Sequence, residues 1–308
     1  MMNVREWALL VYTILMELAV GSFSVLWVLR TVGVSKYERE KVDQALENSV
    51  LLLFITAGIA MIGAHFHLSK PYLSFLAILN FRYSWLSREI IFTALFFLSI
   101  GLLWFMQWRR IDKQRTKTVL GWLAIFFGWV NEYCMAKIYL LPTQAAWDTP
   151  LTAISFFGTA FLVGIMALLT LLIMDLNYSE LNDLPKAVPQ ALLIQKSMLW
   201  FVAAAVLVGI IVVIVAVIHI FSLMGSSLET AQASATLLLR LYPLLLGMRL
   251  VLIIVGVGGL ALALYMHSSS QKPVRAMLLP AYITCLFIMV GEILGRFLFY
   301  AIHVRTGI

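Results

Sequence analysis

Charge is scarce in this sequence. Asp, Glu, Lys and Arg make up only 12% of the 308 residues, about half the share of an ordinary soluble domain. A water-facing surface cannot be assembled from so few charges, which excludes a large soluble domain. Cysteine is nearly absent as well: Cys134 and Cys285 lie far apart, each inside an apolar run. They form no Cys-x-x-Cys pair and cannot supply the four thiolates of an iron–sulfur cluster. No Gly-x-Gly-x-x-Gly or Gly-x4-Gly-Lys-[Ser/Thr] stretch occurs, which argues against dinucleotide and P-loop chemistry. Pro-, Gly- or Ser-rich linkers and self-similar periods are missing too, so residues 1–308 read as a single integral domain.

What the chain has in quantity is apolar length. Hydrophobic residues make up 62% of it, and a membrane span takes about 20 of them. Eight apolar runs follow, at about 7–29, 46–67, 89–108, 118–140, 151–174, 197–223, 242–266 and 277–303. The expected fold is therefore all-α and integral to the membrane, a bundle of eight transmembrane helices. The first run is too long for a signal-peptide core, is interrupted by Glu17 and has no small-x-small cleavage site after it, so it reads as a helix.

The net charge of +7 belongs to the membrane surface rather than to a nucleic acid, because the basic residues sit in short loops between apolar runs. Orientation follows from where they sit. One set of loops carries thirteen: Arg30, Lys36, Arg39, Lys41, Arg109, Arg110, Lys113, Arg115, Lys117, Lys186, Lys196, Lys272 and Arg275. The other set, with both termini, carries six: Arg5, Lys70, Arg82, Arg88, Arg240 and Arg305. The positive-inside rule then places both termini outside, which in a bacterium means a plasma-membrane protein with periplasmic ends.

Two outer connections hold more chemistry than a linker needs. Residues 68–88 are amphipathic and aromatic, with Tyr72, Leu73, Phe75, Leu76, Ile78 and Leu79 placed for an interfacial helix. Residues 141–150 carry no basic residue but several hydrogen-bonding ones, among them Thr143, Gln144 and Trp147.

Ionisable groups inside spans are costly and are functional candidates by default. With the termini outside, His65, His67, His219 and His303 fall at the outer ends of their helices, and His267 falls at an inner end. His65 and His67 face about 200° apart on one helix, so both cannot ligate one haem. A haem would need a partner such as His219, and the simpler reading of His219 is a polar residue satisfied by a neighbour. Glu292 and Arg296, four apart, share a helix face and can pair there, either for structure or as part of a polar pathway. Tyr300 and His303 extend that stripe to the outer surface. Lys137 is within snorkelling distance of the outer surface. Gly291 and Gly295 form Gly-x-x-x-Gly, a close-packing signature.

A set of motifs in fixed order carries a family resemblance. It runs from Glu6-Trp7-Ala8-Leu9 to His67-Leu68-Ser69-Lys70-Pro71, then Trp85-Leu86-Ser87-Arg88-Glu89-Ile90, Leu141-Pro142-Thr143-Gln144-Ala145-Ala146-Trp147-Asp148-Thr149, and Gly291-Glu292-Ile293-Leu294-Gly295-Arg296-Phe297-Leu298-Phe299-Tyr300 ending at His303. The chain resembles the membrane-anchor subunit of bacterial anaerobic dimethyl sulfoxide reductases. The resemblance implies an eight-helix anchor that binds and oxidises menaquinol and holds no haem or iron–sulfur cluster itself. It also implies an iron–sulfur partner subunit with [4Fe–4S] clusters and a molybdopterin catalytic subunit. It marks His67 as the quinol ligand. Ser69 stands where a glycine is common in the family, and Glu17 where a glutamine is usual.

The residues agree with that chemistry on their own terms. Quinol oxidation needs a pocket reachable from lipid, a base for the hydroxyl proton and donors for the product carbonyl. His67 is the expected base, because imidazole, with an ordinary pKa of about 6.5, is neutral near pH 7. Arg88, Glu89, Thr143, Gln144 and Trp147 lie at the same outer level, and Arg296, Tyr300 and His303 line the pocket or its proton exit. A b-type cytochrome subunit and a secondary transporter are the competing classes. The latter would show midplane polar sites and inverted repeats, and neither is evident. The terminal electron acceptor is chosen in another polypeptide.

Overall fold

The computed structural model describes residues 4–67, 76, 79–267 and 273–304, with the side chains of 4–6, 66, 67 and 273 outside the description. Ten α-helices follow one another: α1 (Val4–Val34), α2 (Arg39–His67), α3 (Trp85–Trp108), α4 (Gln114–Tyr139), α5 (Pro150–Leu181), α6 (Ala187–Met224), α7 (Glu229–Thr236), α8 (Pro243–His267), α9 (Pro273–Ala276) and α10 (Leu278–Ala301). Among the described residues there is no strand, and eight helices are long and apolar enough to cross a membrane. The eight expected spans are present. Because their number is even, α1 starts and α10 ends on the same side of the bundle, here termed the terminal face; the opposite side is the distal face.

Several helices run past their apolar runs. α2 begins at Arg39 and α6 at Ala187, because charged and polar turns can continue a helix beyond the hydrocarbon layer, where only hydrogen bonding and caps limit it. Caps fix two starts on the terminal face. Ser84 accepts from the N–H of Ser87 at 3.3 Å to open α3, and Thr149 accepts from Leu151 N–H at 3.4 Å with Pro150 in the first turn of α5, the usual chemistry of helix N-termini. The connection between the sixth and seventh spans is more than a linker. It holds α7 and then a wider π turn, Leu237–Leu241, closed by Tyr242 N–H donating to Leu237 O at 3.2 Å. Pro243, which has no N–H to give, follows it directly and opens α8. Of the expected interfacial helix over 68–88, residues 68–75, 77 and 78 lie outside the described residues, and residues 85–88 are the first turn of α3.

α1 and α5 form the axis of the bundle. In their most apolar stretches 72% and 78% of residues are buried, against 22–44% in the other spans. α2 packs on α1, α3 on α4, α6 on α5, and α8 on α10, with α10 also against α5. Phe23, Trp27, Phe96 and Leu162 are fully buried between them. The crossing of α1 over α5 depends on missing side chains. A Cβ on Gly21 would run into the carbonyl oxygen of Ala160, and one on Gly164 into the backbone of Gly21. With both positions bare, Ser22 Oγ reaches the Gly164 carbonyl at 3.0 Å across the interface. Small residues that let backbones meet and side-chain bonds between helices are how bundles cohere where lipid offers no hydrophobic drive.

Candidate functional site

The buried charges sort by face. On the distal face two groups of them close. Arg30 meets both oxygens of Asp43 at 2.6 and 3.1 Å. Asp175 accepts from Lys186 at 3.0 Å, Asn48 at 2.7 Å and Gln190 at 2.5 Å. In the terminal half they do not close. Glu17, Glu89, Glu132, Glu292 and Arg296 are all buried there, joined by the largely buried Arg249.

Arg296 is the hub. Its guanidinium donates to Glu17 and lies over the ring of Phe156, 3.7 Å from the centroid. The expected pair within α10 does not form: Glu292 accepts from Thr159 Oγ1 at 2.9 Å and faces Arg249 at 3.6 Å. A four-residue spacing permits a pair within the helix, but α1 and α8 bring competing partners to the same stripe, and in a low-dielectric core the partner that also closes a helix interface prevails. Gly295 makes room for this, since a Cβ there would come within 2.6 Å of Arg249 Cζ. The Gly-x-x-x-Gly face therefore packs against α8, as its spacing predicts, and also seats an arginine.

Several polar atoms of this group have no partner among the described residues: Glu17 Oε2, both oxygens of Glu132, Glu292 Oε1, Arg249 Nε and Arg296 Nε. Buried polar atoms are nearly always paired, so a run of unpaired ones in one half of a bundle calls for an external partner. A cavity of about 60 Å³ opens beside them, lined in part by Thr152, Thr159, His219, Arg249, Glu292 and Arg296. It has room for water molecules and is far below the ~300 Å³ of a typical organic-ligand pocket.

Toward the terminal surface the network ends in an aromatic box. Trp147 stacks on Phe299 with centroids 5.1 Å apart and on His303 at 5.5 Å, and donates from Nε1 to the Phe299 carbonyl at 2.8 Å. The hydroxyls of Tyr139 and Tyr300 are 2.9 Å apart. His303 Nδ1 lies 2.7 Å from Tyr300 O, and His219 Nε2 lies 3.0 Å from Ala146 O. His219 is thus a polar residue satisfied by a neighbouring loop. Gln144 is buried in the same loop with its Oε1 unpartnered, while Thr143 is exposed beside it.

A second arm runs through α1, α3 and α4. Tyr12 Oη sits 3.1 Å from Thr93 Oγ1, which donates to Asn131 Oδ1 at 2.8 Å. Glu89 is buried beside the Tyr12 hydroxyl. Glu132 is the link between the arms, within electrostatic reach of Glu17, Arg296 and Glu89.

The residues singled out in the sequence therefore fall into two groups. Trp147, Arg296, Tyr300 and His303 come together at the ends of α5 and α10. Glu89 joins the second arm, whereas Arg88 turns away to donate to the carbonyls of Phe81 and Arg82 at 2.9 and 2.7 Å and to cover the Trp85 ring. Lys137 also lies over Trp85, 5.6 Å from its centroid. His67 closes α2 on the same face, with its side chain outside the described residues; His65 is exposed and bonded to Met61 O at 2.7 Å. Sequence reasoning left Glu17, Glu132 and Arg249 out of the site. Their only signal was charge within an apolar span, and nothing local tied them to Arg296. Among the described residues no group of three or more His, Cys, Asp or Glu is arranged to hold a metal ion.

Comparison with known proteins bears on what such a bundle belongs to. The protein is 27% identical to the YnfH chain of an anaerobic dimethyl sulfoxide reductase of Escherichia coli strain K12 over 310 residues, covering 98% of this sequence and 96% of the relative. It is 24% identical to the C subunit of anaerobic dimethyl sulfoxide reductase of the same strain, again over 98% and 96% of the two sequences. The corresponding C subunit of Haemophilus influenzae matches at 25% identity over 170 residues, 54% of this sequence and 59% of the relative. The family described as DMSO reductase anchor subunit (DmsC) matches residues 1–302, and with its eight apolar helices the protein belongs to that family of multi-pass membrane anchors.

Proposed function

We propose that the chain binds and oxidises menaquinol at its terminal face and passes the electrons to an iron–sulfur partner subunit, which serves a molybdopterin catalytic subunit in anaerobic respiration. The observation that carries this reading is the cluster of buried carboxylates and arginines in the terminal half, several of whose atoms have no partner among the described residues. Oxidation of a quinol releases two electrons and two protons. The electrons leave for the partner, and the protons need groups in this chain to accept them and lead them to water.

His67, at the end of α2, takes the first hydroxyl proton. Glu89, buried four residues into α3 on the same face, holds the ring's polar edge, with Arg88, Thr143 and Gln144 at the rim. The 60 Å³ cavity admits water but no quinone ring, so Arg296, Tyr300, Trp147 and His303 belong to the proton exit rather than to the ring site. Menaquinol is a substrate here; the redox centres sit in the partners. In the purified complex, a menaquinol analogue should drive reduction of the terminal acceptor only when this chain is present. A dye that reduces the soluble subunits directly should work with or without it. Quinol-driven turnover by the soluble subunits alone would overturn the assignment.

Both termini face the periplasm in this reading, by the thirteen-to-six distribution of basic residues. Alkaline phosphatase fused at Ile308 should be active and fused at Lys113 inactive. The reverse pattern would invert the bundle and put the terminal-face site in the cytoplasm.

A further inference from the structure

The distal face carries a second cleft that quinol chemistry does not use. It measures about 540 Å³ and lies between the start of α2, the end of α3 and the start of α4, lined by Arg39, Glu40, Gln107, Arg110, Asp112 and Lys117 among others. From this cleft we infer that the distal face binds a phosphate ester bearing an amine, with the phosphoethanolamine headgroup of a membrane lipid as its source.

Charge accounting narrows the ligand. Arg110 is taken by Glu47 at 3.1 Å, and Asp43 by Arg30. That leaves Arg39 and Lys117 against Glu40 and Asp112, a balanced pair of each sign. Glu40 and Asp112 receive only amide donors, from Gln44 and Gln114, each at 3.2 Å. Lys117 is the telling residue. It is only 6% exposed, it lines the cleft, and its ammonium has no acceptor among the described residues. Its stem is buried while its ammonium keeps a path to the cleft, so the charge is presented to whatever occupies that space. Gln107 is 3% exposed and Gln114 lies beside it, each with an amide oxygen that receives no donor.

A bare anion would satisfy Lys117 and meet Glu40 and Asp112 as like charges. A bare amine would do the reverse. A zwitterion with a phosphate at one end and an ammonium at the other suits both sets: the phosphate accepts from Lys117 and Arg39, and the three N–H bonds of the ammonium are shared among Asp112, Glu40 and the glutamine oxygens. Depth favours a lipid over a free metabolite. Trp104 and Trp108 stack at 5.7 Å just before the cleft, and Trp108 is exposed, which is the position of an interfacial aromatic belt. Gln107 to Asp112 therefore sit at headgroup level. Below them α3 turns Leu98, Leu102 and Phe105 outward, a surface for acyl chains.

The test is native mass spectrometry of the full chain taken from vesicles of phosphatidylethanolamine and phosphatidylglycerol in equal amounts. The wild-type chain should retain phosphatidylethanolamine. Lys117→Met and Arg39→Gln should each retain about tenfold less, the loss of one charge-assisted contact, and Lys113→Met, exposed and outside the cleft, should behave as wild type. Arg39 is exposed, so its variant keeps the test decisive if the buried lysine proves necessary for folding. Soluble O-phosphoethanolamine added to delipidated chain separates the sources. A thermal shift in the wild type but not in Lys117→Met, with no lipid retained, keeps the headgroup chemistry and moves its source to a free ester. Equal retention by Lys117→Met, preference for phosphatidylglycerol, or neither retention nor shift would overturn the inference.

Discussion

Quinol-driven reduction should fall by about 10²–10⁴-fold when His67 is replaced by alanine, the usual contribution of a general base, while dye-driven reduction by the same complex persists. The reasoning rests on place and on chemistry. α2 ends at His67 on the face where the terminal-half carboxylates gather, and an imidazole at a helix end near the interface carries little core packing, so its loss should leave assembly largely intact. His65→Ala is the internal control. Its ring is exposed and tied to its own helix through Met61 O, so turnover should change little. The dye assay shows that the soluble subunits are intact, and their retention at the membrane separates failed electron entry from failed assembly. Normal quinol turnover in a well-assembled His67→Ala complex would remove the residue from the mechanism and transfer the base to His303 with Tyr300.

How far the sequence carries this reasoning depends on the range over which each interaction acts. The eight spans are legible because hydrophobic length is a property of consecutive residues, and the core of the bilayer demands about 20 of them. Helix ends are less so: α2 starts well before its apolar run, where charged residues hold a helix as well as apolar ones do in water. The packing face at Gly291 and Gly295 is legible from spacing, but the arginine it admits is not, since Arg249 comes from α8. The partner of Arg296 shows the limit most clearly. Sequence spacing can propose only local pairs, and it proposes Glu292; the structure supplies Glu17, 279 positions away. Glu132 has no such local cue at all, and its placement between Glu17, Arg296 and Glu89 appears only once four helices are assembled. The aromatic box of Trp147, Tyr300 and His303 was nearer the surface of the sequence, because loop 141–150 and the end of the last span each concentrate side chains that a connector does not need.

That long-range pair supports the second large effect. Arg296→Met should destabilise the chain by about 3–5 kcal/mol, the cost of removing one member of a buried ion pair and stranding the other. Glu17 is fully buried and already has one oxygen without a partner; without the guanidinium it would have neither a donor nor a counter-charge in a core that excludes water. The loss should appear as poor accumulation in the membrane and a lowered thermal midpoint of the purified chain. Quinol-driven activity and retention of the soluble subunits at the membrane should be lost with it, while dye-driven activity persists. Glu17→Leu combined with Arg296→Met should restore much of the stability, because replacing a whole buried pair by apolar side chains removes both desolvation penalties. Recovery should fall short of wild type, since Glu132 loses its cation and Phe156 loses the guanidinium that covers its ring at 3.7 Å. If the rescued chain assembles, its quinol turnover should remain low, because the group linking the buried carboxylates to Tyr300 is gone. Two results would count against this account. An Arg296→Met chain as stable as wild type would mean the pair is not closed in the membrane, and a double variant less stable than either single one would mean the two side chains serve different interfaces.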